Sequence, residues 1–166
     1  MKGVKRALWA FLALGLCFPQ GGWVSAQQTP PKTKEEYLKA YVQSLSPEEA
    51  ARWVKSQGTN FIYIGTDELF PGLGPLLKGR SLKVYVGEGT QGVPWLDRAG
   101  VRYTLVQFPG KLSSEEGVLV ALDGYVLGVD REKKGRYSLV KHKDVANILY
   151  RMFTVYEAFA KVVVKP

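Results

Sequence analysis

His142, Lys143 and Asp144 stand in a row towards the end of the chain, and their types could do chemistry. An imidazole can serve as a general base. Here no serine, cysteine or carboxylate is tied to His142 by spacing, and Asp144 fits the N-cap of the helix that follows. His142 is therefore a weak catalytic candidate. Gly87-Glu88-Gly89-Thr90-Gln91-Gly92 follows an apolar run and matches G-x-G-x-x-G, whose bare amides could receive a phosphate. A dinucleotide site needs a full helix behind the glycines and an acidic residue about twenty positions on. Pro94 and Gly100 allow only a short helix, and Val106, Gln107 and Phe108 stand where the acid belongs. The expectation is a flexible turn.

Lys133, Lys134, Arg136, Lys141 and Lys143 crowd one short segment, with Arg131 just before them. They read as a solvated turn or as a phosphate-contacting patch. Trp53 and Trp95 could stack bases, but core-facing spacing makes them core. Glu115, Glu116, Asp123 and Asp130 could hold a hard cation in principle, although exposed hairpin carboxylates are the simpler reading. No metal site and no cofactor follow from this inventory.

The first 26 residues read as a secretory signal peptide rather than as part of the fold. Lys2, Lys5 and Arg6 form the basic start, Ala7 to Phe18 the apolar run, and Val24-Ser25-Ala26 a small-residue cleavage site. The run is short for a membrane span, so no stable span is expected after cleavage; an uncleaved anchor is the alternative. Leu16 before Cys17 is too large for a lipoprotein site. Removal of residues 1–26 takes the only cysteine, and with it disulfides, thiolate catalysis and cysteine metal sites. The single remaining histidine rules out a histidine cluster within one chain. Three of the 23 basic residues leave with that segment, so 20 face 15 acidic ones. That excess permits a nucleic acid or other polyanion partner without demanding one. A secreted or periplasmic location follows from the signal peptide reading.

Residues 27–34 read as a polar linker and residues 35–166 as one domain. Tyr37, Leu38, Tyr41, Val42 and Leu45 fall at helical spacing. Ser46, Pro47 and Glu49 open a second helix, closed by Gly58. Strands are expected at 61–65, 82–86, 101–108, 117–122, 125–130 and 137–140. A broken helix fits 69–77, and a short helix 92–98, closed by Gly100. Apolar positions from Val145 to Phe159 predict one long closing helix. Asp123-Gly124 is the turn of a hairpin. The order implies an α/β fold, a mixed β-sheet flanked by helices, with a long C-terminal helix.

Those landmarks resemble the phospholipase D-like superfamily over roughly residues 46–163. They are the helix feeding an apolar strand (50–65); Leu82 to Val86 followed by Leu96, Ala99, Gly100 and Val101; the Asp-Gly hairpin; and Phe153 and Phe159 on the last helix. In that family a strand carries His, Lys two residues on and Asp seven residues after the His, with a Gly-Ser on the next strand. Placing the Asp on Asp123 puts Glu116 at the His and Val118 at the Lys. Gly128 then takes the Gly, Val129 the Ser, and Arg131 the usual Asn position.

The resemblance implies a single phospholipase D-like half of the secreted, nuclease type. Such halves dimerise, which makes a homodimer an expectation of the family. Glu116 would repel a phosphate and Val118 supplies no donor, so a degenerate phosphodiesterase kept as a binding or assembly module is expected. Its expected contacts are Arg131, Lys133, Lys134, Arg136, Lys141 and Lys143. Two other readings stay open: an active phosphodiesterase with a divergent site, and a non-catalytic envelope assembly protein of another α/β fold, with a protein partner.

Overall fold

A computed structural model describes residues 33–110, 116–122 and 124–166. In chain order it contains α1 (Lys34–Tyr41), β1 (Val42–Leu45), α2 (Pro47–Ser56), β2 (Asn60–Ile64), α3 (Leu73–Leu77), β3 (Ser81–Gly87) and α4 (Pro94–Ala99). There follow β4 (Tyr103–Phe108), β5 (Val118–Ala121), β6 (Tyr125–Val129), β7 (Tyr137–Lys141), α5 (Lys143–Tyr156), a 3-10 turn (Glu157–Phe159) and β8 (Lys161–Lys165). The strands form one sheet in the order β1-β7-β6-β5-β2-β3-β4-β8. β2, β3 and β4 run parallel, and every other pair is antiparallel.

The parallel block is buried on both faces, which is why its strands are apolar at successive positions. Phe61, Tyr63, Leu82, Val84, Val86 and Leu105 point to one side, against Val54 of α2, Leu77 of α3 and Leu96 of α4. Ile62, Ile64, Tyr85 and Val106 point to the other, against Ala146 and Phe153 of α5. α2 starts as its sequence dictates. The Ser46 hydroxyl accepts from the Glu49 amide at 3.2 Å, and the Glu49 carboxylate accepts from the Ser46 amide at 2.7 Å.

Three local expectations are corrected. The helix around Tyr37 stops at Tyr41, because Val42–Leu45 pairs with β7 along the sheet edge. The closing helix ends at Tyr156, and Lys161–Lys165 turns back as β8 against β4, a strand the sequence reading lacked. The N-cap of α5 is His142, without a side-chain bond; Asp144 lies inside the first turn, where its charge still suits the helix dipole. Among the described residues no helix is long and apolar enough to cross a membrane.

The sheet has two rims. The upper rim gathers the carboxyl ends of β2, β3, β4 and β6 and the start of β5, with Ile64 opposite Val118 and Val129 opposite Tyr137. The lower rim gathers the starts of β2, β3 and β4 and the ends of β7 and β8, with Tyr103 opposite Lys165 and Tyr125 opposite Lys141.

Candidate functional site

Glu116 enters β5 and Arg131 leaves β6, so antiparallel pairing brings both to the upper rim. The Arg131 guanidinium donates to the Glu116 carboxylate at 2.7 Å. Both side chains are about half exposed, 44% and 55%. Val118 turns to the α5 side and packs with that half of the core. Val129 is 40% exposed. Asp123, and Glu115 with it, lies outside the described residues. The positions expected to form the family frame, where described, thus hold an ion pair, two valines and Gly128.

Beside this pair a turn is locked by Ser44, which the sequence reading had placed in a helix. The Ser44 hydroxyl donates to Asp130 at 2.9 Å and accepts from Arg136 Nε at 2.9 Å. Asp130 also accepts from the Glu132 and Lys133 amides at 3.0 and 3.1 Å. Burial pushes the Asp130 carboxyl up, but these hydrogen bonds outweigh it and hold it below its ordinary value. Arg136 further donates to the Ser44 carbonyl at 3.0 Å and lies 3.7 Å from Glu49. It is a structural residue first.

Carboxylates of the chain itself occupy upper-rim amides that an anion would use. Glu68 accepts from the Gly72 and Leu73 amides, both at 3.0 Å. Glu88 accepts from the Gly110 amide at 3.2 Å, while its own amide donates to the Gly110 carbonyl at 2.8 Å. The glycine loop is therefore tied down rather than bare. Gln107 donates to the Thr90 carbonyl within it, and the helix behind it is six residues long. Among the described residues no three groups of the His, Cys, Asp or Glu kind converge as a metal would need.

His142 sits on the lower rim, away from Glu116 and Arg131. Its ring stacks on Tyr37 at 5.8 Å and meets the edge of Tyr41 at 4.6 Å. Its Nδ1 is buried without a hydrogen-bond partner among the described residues. The basic segment is also divided. Arg131, Lys133, Lys134 and Arg136 belong to the β6–β7 turn above, Lys141 and Lys143 to the rim below. The reason is extension: a strand rises about 3.3 Å per residue, so β7 separates them by roughly 13 Å. Trp95 is buried, donating to the Thr66 carbonyl at 2.9 Å, and Trp53 packs edge-on at Tyr125. Both are core, as expected.

No family model matches the chain, and no curated protein sequence matches it. Among solved structures it is similar to Nuc, a phospholipase D family member from Salmonella typhimurium, with TM-score 0.51. The match has 11% identity and covers 75% of this chain and 98% of that one. The chain has a phospholipase D-like fold. At that identity the likeness is one of fold alone, and the roles of Glu116 and Arg131 are not carried by it. A second structure, TrmBL2, is an archaeal chromatin protein described with a mode of DNA binding. It aligns at 14% identity over 98% of this chain and 62% of its own, and its TM-score of 0.46 is too low to bear on the argument.

Proposed function

We propose that this phospholipase D-like domain has lost phosphodiester chemistry and serves as a binding module outside the cytoplasm. The observation that carries the reading is the Glu116–Arg131 pair. Phosphoryl transfer through a covalent intermediate needs a nucleophile and preorganised donors aimed at the phosphate. On the reading that Glu116 takes the nucleophile position, a carboxylate replaces the nucleophile, the Arg131 guanidinium is turned onto it, and Val118 offers no donor. Nearby carboxylates on Gly72, Leu73 and Gly110 add to the repulsion of an anion.

The test is turnover of bis(p-nitrophenyl) phosphate and nicking of supercoiled plasmid by the purified chain. No turnover above blank is expected. Turnover that Glu116→Gln or Arg131→Ala abolishes would overturn the reading. Loss of turnover in His142→Ala alone would instead favour a divergent enzyme on the lower rim. Export rests on residues 1–26, and a mass beginning at Gln27 in the protein recovered from outside the cytoplasm would support it.

A further inference from the structure

A second positive cluster gathers on the lower rim from residues that are scattered in the sequence. Lys78 follows α3, Arg80 precedes β3, Arg98 is in the last turn of α4, and Arg102 precedes β4. β3 and β4 are parallel neighbours, with Lys83 opposite Thr104, so both approaches meet on the lower rim. The turn between Arg98 and Arg102 is tight. Gly100 takes φ 64, its amide donates to the Asp97 carbonyl at 3.1 Å, and the Val101 amide donates to the Leu96 carbonyl at 3.1 Å. Lys78 Nζ lies 3.8 Å from the place a Gly100 side chain would take, which brings it between the two arginines.

None of the four forms an ion pair among the described residues. Among the described residues the ion pairs are Lys83–Glu157, Arg131–Glu116 and Arg136–Glu49, all elsewhere. Arg80 spends its donors on the carbonyls of Lys55, Gln57 and Gly58 and lies over the Phe61 ring, so its charge stays uncompensated. The adjacent acid, Asp97, accepts the Tyr103 hydroxyl at 2.8 Å. Lys78, Arg98 and Arg102 are exposed. Helix C-termini favour cations in any protein, which accounts for Lys78 and Arg98. It does not account for Arg102, which lies outside any helix.

Building on the proposed binding role, we infer that this lower-rim cluster is the binding surface and that its ligand is the phosphate backbone of a nucleic acid duplex. Arg98 and Arg102 are exposed arginines, whose planar forks match phosphate oxygens, while Arg80, its donors engaged on backbone carbonyls, adds charge alone. Lys141 and Lys143 lie along the same rim, five strand spacings away, or roughly 24 Å. An extended polyanion spans that distance, whereas a single small anion does not.

The experiment is fluorescence anisotropy of a labelled duplex titrated with the full chain at about 50 and 200 mM salt. Binding should weaken steeply with salt. Arg98→Ser combined with Arg102→Ser should raise Kd about tenfold and reduce the salt slope by about two. The Lys pair at the same positions should restore most of the affinity. Lys133→Ser with Lys134→Ser should leave Kd within about twofold, because those residues sit on the other rim. An equal or larger loss in that second variant, or no binding at low salt, overturns the inference. Capture by vesicles of anionic lipid without duplex binding overturns it as well, and assigns the rim to a membrane. None of these outcomes touches the loss of phosphodiester chemistry, which is tested separately by turnover of bis(p-nitrophenyl) phosphate and cutting of the duplex.

Discussion

Glu116 and Arg131 lie 15 residues apart and close onto each other at 2.7 Å on the upper rim. Each would be an obstacle or an asset to a phosphate on its own. Paired, they present almost no net charge, and their exposure keeps the bond weak. Arg131→Ala should therefore change unfolding free energy by less than about 1 kcal/mol, measured in urea. A loss of several times that would mean the pair holds the rim together.

Ser44 should matter more than its size implies. Its hydroxyl joins Asp130 to Arg136, so Ser44→Ala removes one hydrogen bond from each of two charged groups at once. A cost of about 1–2 kcal/mol is expected from the lost hydrogen bonds. Denaturation midpoints of the variant and of Asp130→Asn should coincide to within a few tenths of a molar if both remove the same lock.

Asp130 also sets a pH dependence. Its folded pKa lies below the ordinary carboxylate value, so its contribution is present at neutral pH and disappears as pH falls through the acid range. The Asp130→Asn variant should show a shallower loss of stability on acidification than the parent. Parallel acid limbs would assign the dependence to other carboxylates.

Gly117 has no room for a side chain. A Cβ there would overlap the Tyr63 hydroxyl and lie 2.7 Å from the Asp67 carbonyl. Tyr63 is buried, donates to that same carbonyl and meets Trp95 edge-on, so it has nowhere to go. Gly117→Ala should cost about 3 kcal/mol, and Tyr63→Phe in the same chain should recover part of it. Thermal melts of the single and double variants decide this.

Glu157 fastens the end of α5 to the sheet. It accepts from Lys83 at 3.0 Å and from the Tyr85 hydroxyl, and Tyr85 is itself covered by Phe108 and Phe153. Burial first, and then the bond to Glu157, raises the Tyr85 pKa, so the phenol stays protonated. Glu157→Ala should speed amide exchange across residues 161–165, with β2 and β3 unchanged. Uniform acceleration would instead indicate global destabilisation.

How far the sequence leads depends on whether a signal is local. α2 is legible because Ser46, Pro47 and Glu49 act within one turn. β1 is not, because Val42 and Leu45 satisfy helical spacing and only β7, far along the chain, decides for a strand. The phospholipase D-like fold is legible by resemblance, whereas the contact of Arg131 with Glu116 is a tertiary fact. Lys133 and Lys143 look adjacent in sequence and are parted by a strand. Lys78 and Arg102 look unrelated and are joined by two parallel ones.

β8 has a kinetic consequence. It covers the open side of β4, yet more than fifty residues of chain lie between the two strands. Closing so long a loop is slow, so β4, with Leu105 and Val106 in its middle, waits with an unsatisfied edge while the hairpins and α5 form. Until β8 docks, that edge is open to pairing with another chain. Its refolding yield should fall with protein concentration long before native stability is in question.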